Sequence, residues 1–365
     1  MTGAAMIDDK DFPGKPRLAG LDELRGLATL WVMWCHSASL WTWVPPGFGG
    51  YGYHGVVLFF IISGFLITRI LMKDEGQPLY FCRFYMNRIF RIWPLMLVAL
   101  ALSGIVWSSE LPKIFYNFLM INNYAYAYGI EPMVRTDVMW SLAIEEQFYL
   151  LWPAVFFLVR KERIGMVIFL VILAGLLFDS GLIYGGAGPI FKKTHGAMHY
   201  IAMGTAFALG ARTGLRVLLA AWGVFLLWYA LAHHGDFSAF RWYWHGITLA
   251  LALLVYATIH LRPLIRAGWL AAIGKRCYGA YLIHFFVSST TLKFLGSGSW
   301  LPGVTFFAAS LALTWISFRY FEWPVLQLRE RFIASDRLKA ALFGVFTLLV
   351  LISVVMLIPR PLAAS

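Results

Sequence analysis

Residues 54–72 read HGVVLFFIISGFLITRILM, nineteen residues with one formal charge, Arg69, near the far end. As a helix such a run rises about 28 Å, close to the hydrocarbon thickness of a bilayer at about 30 Å. Runs of the same kind recur at 24–44, 89–108, 139–159, 164–184, 197–211, 215–232, 244–260, 274–295, 301–321 and 338–358. The run at 197–211 is short, and the one at 244–260 is interrupted by polar groups. The pattern predicts an all-α integral membrane protein, a polytopic bundle of about 10–11 transmembrane helices. Segment 113–128, KIFYNFLMINNYAYAY, is aromatic and polar and reads as interfacial.

Composition agrees. Of 365 residues, 60% are apolar and 13% charged, against about a quarter charged in soluble domains. That excludes a soluble globular fold, a disordered chain and a disulfide scaffold. The 16 tryptophans, 17 tyrosines and 30 phenylalanines suit two interfacial belts. We expect residues 1–23 to form an N-terminal segment, 24–325 one membrane domain, and 326–365 a C-terminal segment with a further transmembrane helix. The polar N-terminus lacks the apolar core of a cleavable signal. Cys35, Cys82 and Cys277 have no metal-like spacing and read as free thiols.

So apolar a chain still carries a net charge of +12. With the N-terminus placed in the cytoplasm, 23 of the 30 Lys and Arg residues fall on the cytoplasmic side of successive spans. This is the asymmetry that sets orientation in membranes. Eleven spans would put the C-terminus outside.

Ionisable groups inside spans cost roughly 3 kcal/mol each near the bilayer centre and mark candidate sites. His36 follows Arg25 by eleven residues, about 16 Å of helix, which puts it near mid-membrane if Arg25 lies at the inner edge. Histidine suits proton transfer near neutrality, and it also occurs as a bonded core residue. Arg88 and Arg91, in NRIFRIWP, share a helix face and could clamp an anion such as phosphate, or serve as flanking charge. Glu145 and Glu146, in WSLAIEEQFYLLWP, point about 100° apart. One could face the interior as base, histidine orienter or hydroxyl binder, while the other meets a basic partner or a tryptophan N–H. Ser63 and Gly64 offer a small surface to a neighbouring helix or a thin substrate arm. His284 lies within the 274–295 run. Arg319 and Glu322, three apart, suggest an intrahelical ion pair. Asp179, His54, His233 and His234 read as outer-surface groups.

No Walker loop, GxSxG elbow, HExxH, paired Cys/His spacing or Rossmann glycine pattern is present. No metal site is expected, and the flanking basic residues do not form a nucleic-acid patch. Between about residues 18 and 325 the chain resembles the membrane-bound acyltransferase-3 family of bacterial O-acyltransferases. The resemblance rests on an ordered set: Arg25 and His36 in an R-x10-H arrangement, FFIISGFLIT, RIFRIWP, WSLAIEEQFYLLWP, GKRCYGAYLIH and FEWP. It implies a bacterial inner-membrane enzyme moving an acyl group, commonly acetyl, from cytoplasmic acyl-CoA to a hydroxyl of a glycan or small molecule. It implies His36 as the essential histidine with Arg25 as its motif partner, and Arg88 and Arg91 as residues serving the donor. Three positions depart from the family pattern: Val57 where many members have Asp, Asn87 where Arg is common, and Cys277 where Ser is common. Geometry agrees with a donor path from Arg88 and Arg91, past Ser63–Gly64, to His36, with Glu145 and Glu146 on the acceptor side. A competing class, a proton-coupled transporter or flippase, also places His and Glu inside membranes. The apparent lack of an inverted repeat weakens it.

Overall fold

The computed structural model describes residues 6–7, 17–18, 20–41, 51–76, 80–106, 108–130, 136–180, 192–236, 242–333 and 344. Apart from a short antiparallel pair, β1 (Met6–Ile7) with β2 (Arg17–Leu18), the described structure is helical. Helix α1 (Leu21–His36) begins at Gly20, in the left-handed region at φ 91°, whose N–H donates to the Glu23 carboxylate at 3.0 Å. Asp22 and Glu23 in the first turn complement the helix dipole. The helix ends at His36 and tightens into a 3-10 turn, Ser37–Leu40.

Eight further long helices follow: α2 (Tyr53–Asp74), α3 (Tyr80–Val106), α6 (Met139–Leu158), α7 (Lys161–Asp179), α8 (Thr194–Ala208), α9 (Ala211–Ala232), α10 (Trp242–His260) and α12 (Cys277–Leu295). Short helices α4 (Ile114–Phe118) and α5 (Asn122–Ala127) occupy the segment expected to be interfacial, after a 3-10 turn at Ser108–Lys113. The short α11 (Gly268–Lys275) is separated from α12 by Arg276, so the run expected as one span at 274–295 is broken near its start. Helix α13 (Trp300–Ser317) passes through a π-helical turn, Phe318–Glu322, into α14 (Trp323–Ile333). The expected span at 338–358 lies outside the described residues.

Five helical stretches are individually long and apolar enough to cross a membrane: α2, α3, α9, α10 and the continuous Trp300–Arg329. The others fall short for local reasons. α1 and α8 are only 16 and 15 residues long, and α6 carries Glu145, Glu146 and Gln147 in succession. The whole is an all-α integral membrane bundle. Helix α3 starts nine residues before the apolar run at 89–108, because the basic segment YFCRFYMNR is itself helical.

Helix α2 is the centre, with 67% of its membrane-length window buried against at most 39% for the other four spans. Glycine sets how closely α8 approaches it. A Cβ on Gly64 would collide with the Ile201 carbonyl, and one on Gly204 with the Ile61 carbonyl. Backbones in such contact gain dispersion that side chains would block. The same reciprocal device joins α1 to α11, where Gly26 faces the Leu270 carbonyl and Gly274 the Asp22 carbonyl. Gly64 thus meets a neighbouring helix, one of the two uses expected of the small Ser63–Gly64 surface.

Candidate active site

Helices α1, α2, α3, α6 and α12 surround a narrow cavity of about 90 Å³, room for several water molecules. Its lining brings together Arg25, Ser63, Arg88, Arg91 and Glu145, five of the residues singled out from sequence. Arg88 and Arg91 reach it from one face of α3, one turn apart, as the spacing predicts. The Arg88 guanidinium sits over the Tyr149 ring at 5.2 Å, and its Nε is buried without a hydrogen-bond partner. Arg25 lies 3.6 Å from the Asp22 carboxylate on its own helix. Among the described residues no three His, Cys, Asp or Glu side chains converge as a metal site would need.

The consecutive residues 145–147 fan out in three directions. Glu145 faces the cavity, accepting from Ser63 Oγ at 2.9 Å and from Tyr149 OH at 3.0 Å. Glu146 turns to α3 and accepts from Trp93 Nε1 at 3.4 Å, while its other oxygen has no partner. Gln147 turns the third way, donating to the Met120 carbonyl at 2.5 Å and Asn123 Oδ1 at 3.0 Å and accepting from Thr194 Oγ1. Its amide fastens α6 to α5 and to the start of α8. Three polar side chains on one apolar helix are thus spent on three neighbours, and the cavity receives one carboxylate. The tryptophan N–H expected for one of the two glutamates is found at Glu146.

His36 does not line this cavity. At the last residue of α1 its Nδ1 lies 2.9 Å from His284 Nε2, with the rings parallel to 6° and centroids 5.2 Å apart. Phe285 packs edge-on against His36 at 4.8 Å. His284 is fully buried, and its Nδ1 lies 2.9 Å from the Ala280 carbonyl. The ring partner of His36 is therefore a second histidine, where a carboxylate orienter was expected. Glu145 and Glu146 bond elsewhere.

What joins the cavity to the histidines is one face of α12. Tyr278 and Tyr281 line the cavity, and the Tyr281 ring stands 6.1 Å from His284. Positions 278, 281 and 284 recur every three residues, so the face was readable from spacing. The tyrosines were missed because aromatic residues are so common in this chain. Tyr281 OH donates to the Val138 carbonyl at 2.7 Å and lies 2.5 Å from Ser141 Oγ. Tyr278 OH donates to the Ile92 carbonyl at 2.5 Å. Both rings are pinned across the bundle.

Glu322 is not paired with Arg319; no ion pair joins them among the described residues. At the π-turn Glu322 lies against Gly279 of α12 and accepts from Ser317 Oγ, at the end of α13, at 3.1 Å. His54, at the start of α2, is fully buried among Trp31, Tyr243 and Trp244. Asp179 accepts from Tyr200 OH at 2.9 Å. Neither group lines the cavity.

Comparison with known proteins fits this arrangement. Peptidoglycan O-acetyltransferase OatA of Listeria monocytogenes is 28% identical over 84% of the chain and 55% of its own length. O-acetyltransferase OatA of Staphylococcus aureus is 27% identical over 87% of the chain and 60% of its own length. The chain thus spans little more than half the length of these relatives. No solved structure matches it. The family model described as an acyltransferase domain matches residues 18–319, covering the cavity and both histidines, and the chain belongs to that acyltransferase family.

Proposed function

We propose that this protein is a membrane O-acetyltransferase that moves an acetyl group from acyl-CoA to a hydroxyl of a cell-surface glycan. The observation that carries the reading is the cavity in which Arg25, Arg88, Arg91, Ser63 and Glu145 meet, one turn of α12 away from the His36–His284 pair. Three guanidiniums around one small space suit the phosphates of a nucleotide-bearing donor. The asymmetry of basic residues supports a cytoplasmic position for this end of the bundle, on the side of a bacterial inner membrane where acyl-CoA is found. The thin pantetheine arm passes Ser63 and the two tyrosines toward His36. The name of the Listeria monocytogenes relative points to peptidoglycan as the class of acceptor.

In this reading His36 takes the proton of the acceptor hydroxyl while the oxygen adds to the thioester carbonyl. The C–S bond then breaks, and the thiolate leaves with the proton returned by His36. A covalent route uses the same atoms in two steps: His36 nitrogen adds to the thioester carbonyl and the C–S bond breaks to release the thiolate, then the hydroxyl oxygen takes the acetyl group as the N–C bond breaks, its proton passing by way of the freed imidazole to the thiolate. Glu145 sets the charge of the donor cavity through Ser63 and Tyr149.

The test is transfer by the purified chain in nanodiscs, given radiolabelled acetyl-CoA and a chito-oligosaccharide. Labelled glycan is expected from the unaltered protein and none from His36→Ala. Undiminished transfer by His36→Ala removes His36 from the mechanism.

A further inference from the structure

We infer that His284 is the positioning residue of this site, fixing His36 in the tautomer that leaves its Nε2 as the reactive atom. The inference rests on the proposed role of His36 and deepens it.

The argument is one of donors and acceptors. The Ala280 carbonyl can only accept, so at 2.9 Å it requires a hydrogen on His284 Nδ1. A neutral imidazole carries one N–H, and His284 is fully buried, where a charged ring is costly. Its Nε2 is then a lone pair. That lone pair faces His36 Nδ1 at 2.9 Å, so His36 Nδ1 carries the hydrogen. One nitrogen remains, His36 Nε2, unprotonated and turned away from the pair. Two hydrogen bonds in series thus run from the Ala280 carbonyl to His36 Nδ1 and settle the tautomer of both rings.

The arrangement has mechanical support. Phe285 and His284 both contact His36, one edge-on and the other parallel, and they also pack on each other at 5.1 Å. Phe306 closes behind His284 at 6.5 Å. His36 stands at the last residue of α1, where the chain tightens into the 3-10 turn, and the neighbouring rings hold its imidazole. When Nε2 gains a proton or an acetyl group, positive charge develops on His36. The Nδ1–H bond to His284 then becomes charge-assisted and strengthens. The partner is neutral, so it stabilises that charge less than a carboxylate would and leaves the imidazolium ready to release its proton.

The test combines spectroscopy and kinetics on the full chain in nanodiscs. With 15N-histidine labelling, both His36 and His284 are expected as Nδ1–H tautomers, assigned by loss of their signals in His36→Ala and His284→Phe. His284→Phe keeps a ring but removes the acceptor, and should return His36 to the Nε2–H form common in solution. The same variant should lower kcat at least about tenfold while the KM for acetyl-CoA stays the same. His284→Gln, which restores an acceptor, should recover part of that loss. An Nε2–H tautomer at His36 in the unaltered protein overturns the inference. So does full kcat in His284→Phe with His36→Ala inactive, an outcome that leaves the proposed function standing. Activity in His36→Ala overturns both.

Discussion

Ser63 on α2 donates to Glu145 on α6 at 2.9 Å, in the lining of the cavity that Arg25, Arg88 and Arg91 also line. Of the four charged side chains in the lining, Glu145 is the acidic one and the other three are arginines. An anionic donor entering that space meets three attractive charges and one repulsive charge. Glu145→Gln keeps the size of the side chain and an acceptor for Ser63, and removes the repulsion. Acetyl-CoA should therefore bind more tightly, by at least about tenfold, the effect of one charge about 12 Å away at an effective dielectric near 20. Titration calorimetry at low salt measures it. Weaker binding would mean that the carboxylate holds the arginines in place for the donor.

Arg88 and Arg91 make the opposite prediction. A guanidinium bonded to phosphate contributes about 1.5–3 kcal/mol, so the double change Arg88→Ala with Arg91→Ala should weaken acetyl-CoA binding at least about a hundredfold. The loss should be largest at low salt, since screening already weakens the unaltered protein at high salt. Affinity measured at several NaCl concentrations decides it. An unchanged affinity sinks the clamp.

Gly64 and Gly204 supply a prediction about stability alone. A methyl group at either position runs into a backbone carbonyl of the facing helix, which cannot rotate away. Gly64→Ala should cost about 1–3 kcal/mol through forced separation of α2 and α8. Gly223→Ala, on α9 with nothing within 4 Å of its added Cβ, serves as the control. There the helix propensity of alanine should leave the melting temperature unchanged or raised. Thermal unfolding in detergent, followed by scanning fluorimetry, compares them. Equal melting temperatures for the two variants would mean that the α2–α8 contact yields easily.

The membrane bundle was legible because hydrocarbon imposes length and polarity on every span. The cavity residues were legible because charge inside such spans is costly enough to stand out. Directions were less so. Residues 145–147 announce three polar side chains, but only the neighbours decide that Glu145 meets the cavity, Glu146 a tryptophan and Gln147 a carbonyl. Ser63 and Gly64 are adjacent and share a string, yet they face different helices. The Arg319–Glu322 pairing fails for a backbone reason. Three-residue spacing aligns side chains on an α-helix, and the π-turn at Phe318–Glu322 changes that phase. The His36–His284 bond joins positions 248 residues apart, a relation that no local pattern carries.

Tyr281 separates the cavity from the histidines, and its position makes a final prediction. Its ring belongs to the cavity lining on one side and stands 6.1 Å from His284 on the other. Its hydroxyl is tied to the Val138 carbonyl and lies beside Ser141 at the start of α6. For a thioester to pass from the arginines to His36, this ring must swing or the chain must thread beside it. Tyr281→Trp enlarges the barrier without touching the arginines. It should leave acetyl-CoA affinity within about twofold and lower kcat by an order of magnitude or more, because reaction needs the reacting atoms about 3–3.5 Å apart. Tyr281→Phe releases the hydroxyl tether and keeps the ring, so it should retain affinity and lose far less activity than the tryptophan variant. Steady-state kinetics with binding measured separately resolves the two terms. A tryptophan variant that transfers at the normal rate would show that the donor reaches His36 by a route other than the tyrosine face of α12.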